Sequence, residues 1–536
     1  MQSIYEKILE NLNEEGALEV NFSIRDIEYS QDPFIFDGAY DVFQYLHEDM
    51  SKVNSKNELE YKKIFSDLRE NKADIVKNIL KISYLLHEDG TIKILNFTMR
   101  NLKKVRVASF YELIKQEFLQ IIRKSKDIEL IKFALMMLRD DANYLNVEER
   151  KLIKTLALCD EFTLYASIVI DQWPRAREEF FELAKLLNGW GRIIVLPKLD
   201  LLDKAVSEWL LAEGWKNFAK PEYQANLILS YSSVLDLISE RELKFVEYMN
   251  FSEIIFNAIK IEPGVVRLMD IQVRMQIKIL RLWLREFKRH ELNAFSIILF
   301  LILFKTYEHV FLYMKEHNSQ RVIKASIYQN EKIFLHPFMR YFEVYDELKI
   351  LLHEMQELYD LELFKDQMEN SKPEIKYYFF AILGRITVDY EFKDALEENP
   401  FAYIELLTLL FIQQNPYSEL FLDYFAEYLP LVEIAEGPNT KRDCWELSRD
   451  EEILCKIISK IRYKVGLGRE FLISALQSSH PSLRLSALMS LDIWLKISRK
   501  KLSEIDMELA KLIHVIIQFE DNFEALRKEL DLLERI

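Results

Sequence analysis

The chain is expected to be all-α, an α-solenoid of irregular helical hairpins. Two observations carry that expectation. From about residue 60 onward, apolar residues recur at threes and fours almost without interruption, as in Ile75, Ile79, Ile82 and Leu86, which is the spacing of one helix face. Glycine and proline are scarce, 11 and 12 in 536 residues, whereas a strand protein of this length needs many more turn residues. A hydrophobic share of 50% alongside 29% charge supplies a large core or several domains.

Taken in order, residues 1–60 stand apart as an N-terminal cap with an acidic–aromatic loop. Asp26, Glu28, Asp32, Asp37 and Asp41 interleave with Phe34, Phe36, Tyr40 and Phe43 around Pro33 and Gly38. The pattern reads as a short helix, a loop, and a second helix from about Ala39. A solenoid must hide its first apolar face, which is the work of a cap. Residues 61–430 then read as the helical solenoid. Its breaks fall at Glu88-Asp89-Gly90, Asp140-Asp141, Asn188-Gly189, Lys220-Pro221, Glu262-Pro263-Gly264, His336-Pro337, Lys372-Pro373, Asn399-Pro400 and Asn415-Pro416. These are ordinary helix stop and start signals. Residues 294–304 are nearly all apolar but stop at Lys305, short of the ~20 residues a membrane span needs; a central buried helix is expected. Residues 431–536 read as C-terminal repeats continuous with the solenoid, after a helix-poor stretch at 429–449 that is either a linker or a surface loop.

One C-terminal motif gives the architecture its sharpest expression. In His480-Pro481-Ser482-Leu483-Arg484-Leu485-Ser486-Ala487-Leu488-Met489-Ser490-Leu491, proline pre-sets the first helical turn. Leu483, Ala487, Leu488 and Leu491 follow at helical spacing, with a small residue where a neighbouring helix can approach. This resembles the second helix of a HEAT-type repeat. The resemblance implies a stack of helical hairpins, with Ala487 buried and Arg484 exposed or facing the loop. A second copy begins at Pro373, where Ile375 falls on Leu483, Lys376 on Arg484 and Leu383 on Leu491. The offset is not a whole number of ~40-residue units, so the repeats are irregular.

Composition bounds the partners. The formal net charge is −16, which repels nucleic acid and anionic lipid outside a local basic patch. A protein or acidic peptide is the expected partner; nucleic acid is disfavoured and no membrane is expected. Three cysteines, Cys159, Cys444 and Cys455, without CxxC spacing give no disulfide framework or zinc knuckle. With no basic–apolar leader after Met1, this fits the cytoplasm. Phosphate-cradle, zincin, nucleophile-elbow and calcium-loop motifs are all absent. No cofactor and no metal is expected.

Two resemblances nevertheless point toward enzymes. Four His-Glu dipeptides occur, at His47, His87, His290 and His353. Deoxyhypusine hydroxylase, a HEAT-type enzyme, holds a di-iron site with four such motifs, and imidazole with carboxylate suits non-haem iron. Here only the context of His290 loosely fits that family, and His47 and His87 close helices instead, where the dipole favours them. Separately, Trp173-Pro174-Arg175-Ala176-Arg177, running through to Asn188-Gly189-Trp190-Gly191-Arg192, is similar to a stretch in bacterial HEAT-like proteins, some labelled limonene hydroxylase. That resemblance implies oxygen-dependent hydroxylation of a small terpene. The residues themselves read as a helix stop with Trp190 packed over the turn.

The remaining asymmetry is a basic stripe. Arg274, Lys278, Arg281, Arg285 and Lys288 share one helix face beside the apolar Val273, Ile277, Leu280, Leu284 and Phe287. With Arg267 and Arg289, these outnumber Asp270 and Glu286. The stripe is either a groove for an acidic peptide, a phosphate or a nucleic-acid backbone, or a solvated face paired with nearby acids. The expected function is a soluble scaffold that binds a macromolecule on its concave face. The alternatives are a hydroxylase and a nucleic-acid binder similar to HEAT-like DNA glycosylases.

Overall fold

The computed structural model describes residues 2–19, 22–24, 37–47, 57–70, 75–106, 111–231, 233–259, 268, 271–316, 341, 343–369, 371–383, 394, 397–398, 403–404, 407, 417–437, 447–462 and 464–516. Residues Asp26 to Phe36, Arg267, Asp270 and the breaks before Pro263, Pro337, Pro400 and Pro416 lie outside them. The protein is all-α. Among the described residues there is no strand, only one antiparallel bridge between Leu12 and Leu18.

Local sequence explains where many helices begin. Ser3 with Glu6, Asn146 with Glu149 and Ser448 with Glu451 each form a capping box: the side-chain oxygen accepts the third helical N–H while the glutamate accepts the cap's own N–H. Pro221, Pro373 and Pro481 each open a helix, where a missing N–H costs nothing. Gly90, at φ 78°, separates Ile75–Asp89 from Thr91–Arg106; the left-handed region suits a residue without Cβ.

The chain forms two compact units. The first comprises Met1–Asp200, Lys216–Lys220 and Leu429–Ile536, the second Leu201–Trp215 and Pro221–Tyr428. In the first, helices pack on their neighbours and next-but-one neighbours. Ile128–Met137 touches Thr91–Arg106, Tyr111–Lys124 and Asp160–Ile170, and the last of these also touches Val147–Ala157 and Trp190–Val195. Phe65, Phe97, Phe133 and Phe118 join these layers by edge-on ring contacts of 5.3–6.1 Å. The N-terminal helices lie along this series. Ile4–Glu10 packs on Tyr111–Lys124 and Val147–Ala157, and Ala39–His47 on Thr91–Arg106, Asp160–Ile170 and Trp190–Val195.

The second unit is built around Ala294–Glu316, which packs on Phe245–Ile259, Tyr345–Leu358 and Pro373–Ile382. By length and composition it could cross a membrane, yet most of its apolar window is buried inside the protein. Every residue from Ser296 to Phe304 is buried. Phe300 stacks between Phe287 and Phe304, at 5.0 and 6.0 Å. Nearby, the fully buried Gln276 accepts hydrogen bonds from Tyr307 and Tyr341, both 2.7 Å, and donates to the Ile271 carbonyl. A buried amide is tolerated because its polar atoms are used.

At the C-terminal motif, Pro481–Ser498 packs on Arg449–Ile461 and Arg469–Leu476. Ala487 is fully buried. Arg484 is buried too and turns back to the loop, donating to the Ser478 carbonyl at 2.6 Å. Ala487→Glu would bury an unpaired carboxylate, and its expected cost is ~3 kcal/mol or more. A thermal melt matching the parent's would show that this helix is not packed as described.

Candidate functional site

The basic stripe lies on the helix Val273–Phe287, which a buried face of Val273, Ile277, Leu280, Leu284 and Phe287 holds in place. Its five cations divide into two groups. Lys278 pairs with Asp236 at 2.7 Å and Lys288 with Glu354 at 3.0 Å. Arg285 is structural. Its guanidinium lies 2.6 Å from the carboxylate of Glu286, which is wholly buried, and donates to the carbonyls of Ile238 and Arg241. Arg274 and Arg281 are exposed, and neither makes an ion pair or hydrogen bond among the described residues. They lie two turns apart, ~10 Å along the axis.

Three of the four histidines of the His-Glu pairs have described side chains, each beside a different partner. His87 lies 3.2 Å from Asp127. His290 stacks on Tyr248 at 4.8 Å. His353 is exposed and lies 3.6 Å from Glu357. His47 ends the helix Ala39–His47, and its side chain is outside the described residues. Among the described residues, no three of His, Cys, Asp and Glu are grouped to hold a metal ion.

The Gly189-Trp190-Gly191 segment follows a helix stop, as its sequence reads, and also starts the next helix. The preceding helix ends at Leu186, and Trp190, fully buried, opens a new helix, Trp190–Val195. The reason is a cap supplied from a distance. The carboxylate of Asp160 accepts the N–H groups of Trp190 at 2.8 Å and Gly191 at 3.0 Å. The first amides of any helix need acceptors; here another helix's first residue provides them. A Cβ on Gly191 would lie 2.6 Å from both the Asp160 carboxylate and Thr163 Oγ1, so the approach requires glycine. Burial pushes the Asp160 carboxyl up to about 7, against the pull of the two amides.

Beside it is a cluster that the sequence reading missed. Lys132, 1% exposed at its side chain, donates to Asp41 at 2.7 Å, to Glu129 at 3.0 Å and to Glu161. Tyr165 donates its hydroxyl to Asp41 at 2.9 Å. The acids also cap backbone from other segments: Glu129 accepts the N–H of Thr91 at 2.7 Å and Glu161 that of Gly38 at 2.8 Å. Burial raises the Asp41 carboxyl above its usual range, opposed by Lys132 and assisted by Glu129 and Glu161. The available signal was Lys132 itself, set among Leu130, Ile131, Phe133 and Ala134 in a helix apolar all round. A buried ammonium needs acids, and Asp41, Glu129 and Glu161 supply them.

A cavity of about 120 Å³ near Asp160 is lined by Asp37, Cys159, Asn188 and Phe218, among others. It is below the ~300 Å³ at which pockets enclose cofactor-sized ligands. Asp37 already accepts from Ser23 and the Ile24 amide. Burial raises the Cys159 thiol well above its ordinary value, so it is not a nucleophilic thiolate at neutral pH. The arrangement is suited to tying segments together. No family model, curated protein or solved structure matches this chain.

Proposed function

We propose that this protein is a scaffold of irregular HEAT-type hairpins that binds an acidic protein partner on its concave side, through the outer face of Val273–Phe287. The observation that carries the reading is that Arg274 and Arg281 are exposed and make no ion pair or hydrogen bond among the described residues, in a chain that holds 87 acidic residues. Guanidinium forks favour carboxylate or phosphate. The stripe's paired lysines are themselves more than a third exposed, and such surface pairs are weak enough to exchange partners. The packing of helices on next-but-one neighbours is what a hairpin stack requires.

The test uses fluorescent polyglutamate and a DNA duplex as probes. Polyglutamate is expected to bind at low salt and to weaken steeply as salt rises. Arg274→Glu with Arg281→Glu should reduce that binding about tenfold or more, a loss of ~1.4 kcal/mol or above. The melting temperature should barely move, because exposed charges contribute only ~0–1 kcal/mol. Arg285 is left in place because it neutralises the buried Glu286. Unchanged binding by the double variant, or a preference for the duplex, would overturn the reading.

A further inference from the structure

We propose that the outward face of the helix Ile75–Asp89 is a docking site for an acidic amphipathic helix of a partner protein. This surface belongs to the first compact unit and is independent of the basic stripe. The helix packs on Glu58–Glu70, Thr91–Arg106 and Ile128–Met137, burying Ile75, Ile79, Ile82 and Leu86. Its position is fixed further by Ser83 and His87, which both bond to Asp127, at 2.5 and 3.2 Å.

The opposite face is apolar and uncovered. Val76 is 59% exposed, Leu80 64% and Tyr84 67%. At i, i+4 and i+8 they stand one above another. That spacing matches the anchors by which one amphipathic helix reads another. Beside the row, one position on, are Lys77 and Lys81, both exposed and without an ion pair or hydrogen bond among the described residues. An apolar row edged by free ammonium groups selects an occupant with apolar anchors and a carboxylate edge.

The same edge argues against other occupants. A second copy docked antiparallel about a two-fold axis would set each Lys77 and Lys81 row beside its counterpart, and like charges there are repelled. An anionic bilayer would meet a chain of net charge −16. The helix is already formed and anchored on three sides, so an incoming helix pays ordering entropy only for itself.

The experiment selects binders to the full chain from a displayed library of helical peptides of about 14 residues, counter-screened against the Leu80→Glu variant. The expected result is a set of peptides with leucine-like anchors flanked by Asp or Glu. Their affinity should fall about tenfold or more for Lys77→Glu with Lys81→Glu, the scale of an interface anchor. Both variants change exposed residues and should melt as the parent does. The proposal is overturned if no binder discriminates against Leu80→Glu, or if the binders carry no acidic edge and ignore the lysine reversals. It is also overturned if Leu80→Glu instead abolishes self-association in sedimentation or binding to phosphatidylserine vesicles.

Discussion

Lys132→Met should destabilise the protein more than any surface change. The variant leaves Asp41, Glu129 and Glu161 together, nearly sealed from water, with no ammonium between them. Removing one partner of a buried ionic group costs ~3–5 kcal/mol, a large part of the ~5–15 kcal/mol that stabilises a typical domain. The loss should shrink on acidification, because the stranded carboxylates then take up protons. Urea unfolding at pH 7.5 and 5.5 reads both effects. Asp41→Asn added to Lys132→Met should restore part of the loss, a coupling that a double-mutant cycle measures. Equal unfolding midpoints for Lys132→Met and the parent at pH 7.5 would show that the four groups do not act as a charged network.

Stability should also fall as pH rises from 5 to 8, through Asp160. Its carboxyl titrates at about 7 in the fold against an ordinary 3.8. Between those values the native state holds a proton that the unfolded chain has released, so unfolding becomes easier with rising pH and the effect levels off above about 7. A displacement from 3.8 to about 7 corresponds to ~4 kcal/mol at most. Asp41, also raised, acts in the same direction. Glu6, Glu70, Glu112 and Glu247 are lowered; their contributions are lost at more acidic pH, outside this window. Asp160→Asn should flatten the slope. It should also cost ~1–3 kcal/mol, because its amide cannot accept both N–H groups that the carboxylate caps. A slope unchanged in Asp160→Asn would assign the pH dependence elsewhere.

The all-α class was legible because periodicity and scarce glycine are local properties. The caps at Ser3, Asn146 and Ser448 are equally local, with donor and acceptor three residues apart, but were not read from the sequence. The helix start at Trp190 was not legible, since its cap sits at Asp160 on another helix. The face of the basic stripe could be read from spacing, but not its division. Whether Lys278 is paired depends on Asp236, and the duty of Arg285 depends on Glu286 being buried. Lys132 was overlooked because its three acids come from three stretches of sequence, none unusual alone. The exposed row at Val76, Leu80 and Tyr84 has the periodicity of a core face, and only packing shows which of the two apolar rows of that helix is covered.

The buried cluster also sets a timetable for synthesis. Asp41 bonds to residues 91 and 124 positions further along the chain, Lys132 and Tyr165. At ribosomal rates of ~5–20 residues per second, that separation is roughly 6–25 s of elongation. Through roughly the first three-quarters of that interval neither Lys132 nor Tyr165 has been made, and Tyr165 is missing to its end. Asp41 stays hydrated and Ala39–His47 lacks the helices it packs on. The helix Ala39–His47 therefore settles only after partners made well behind it, and until then its apolar side chains are open to whatever chaperone meets them.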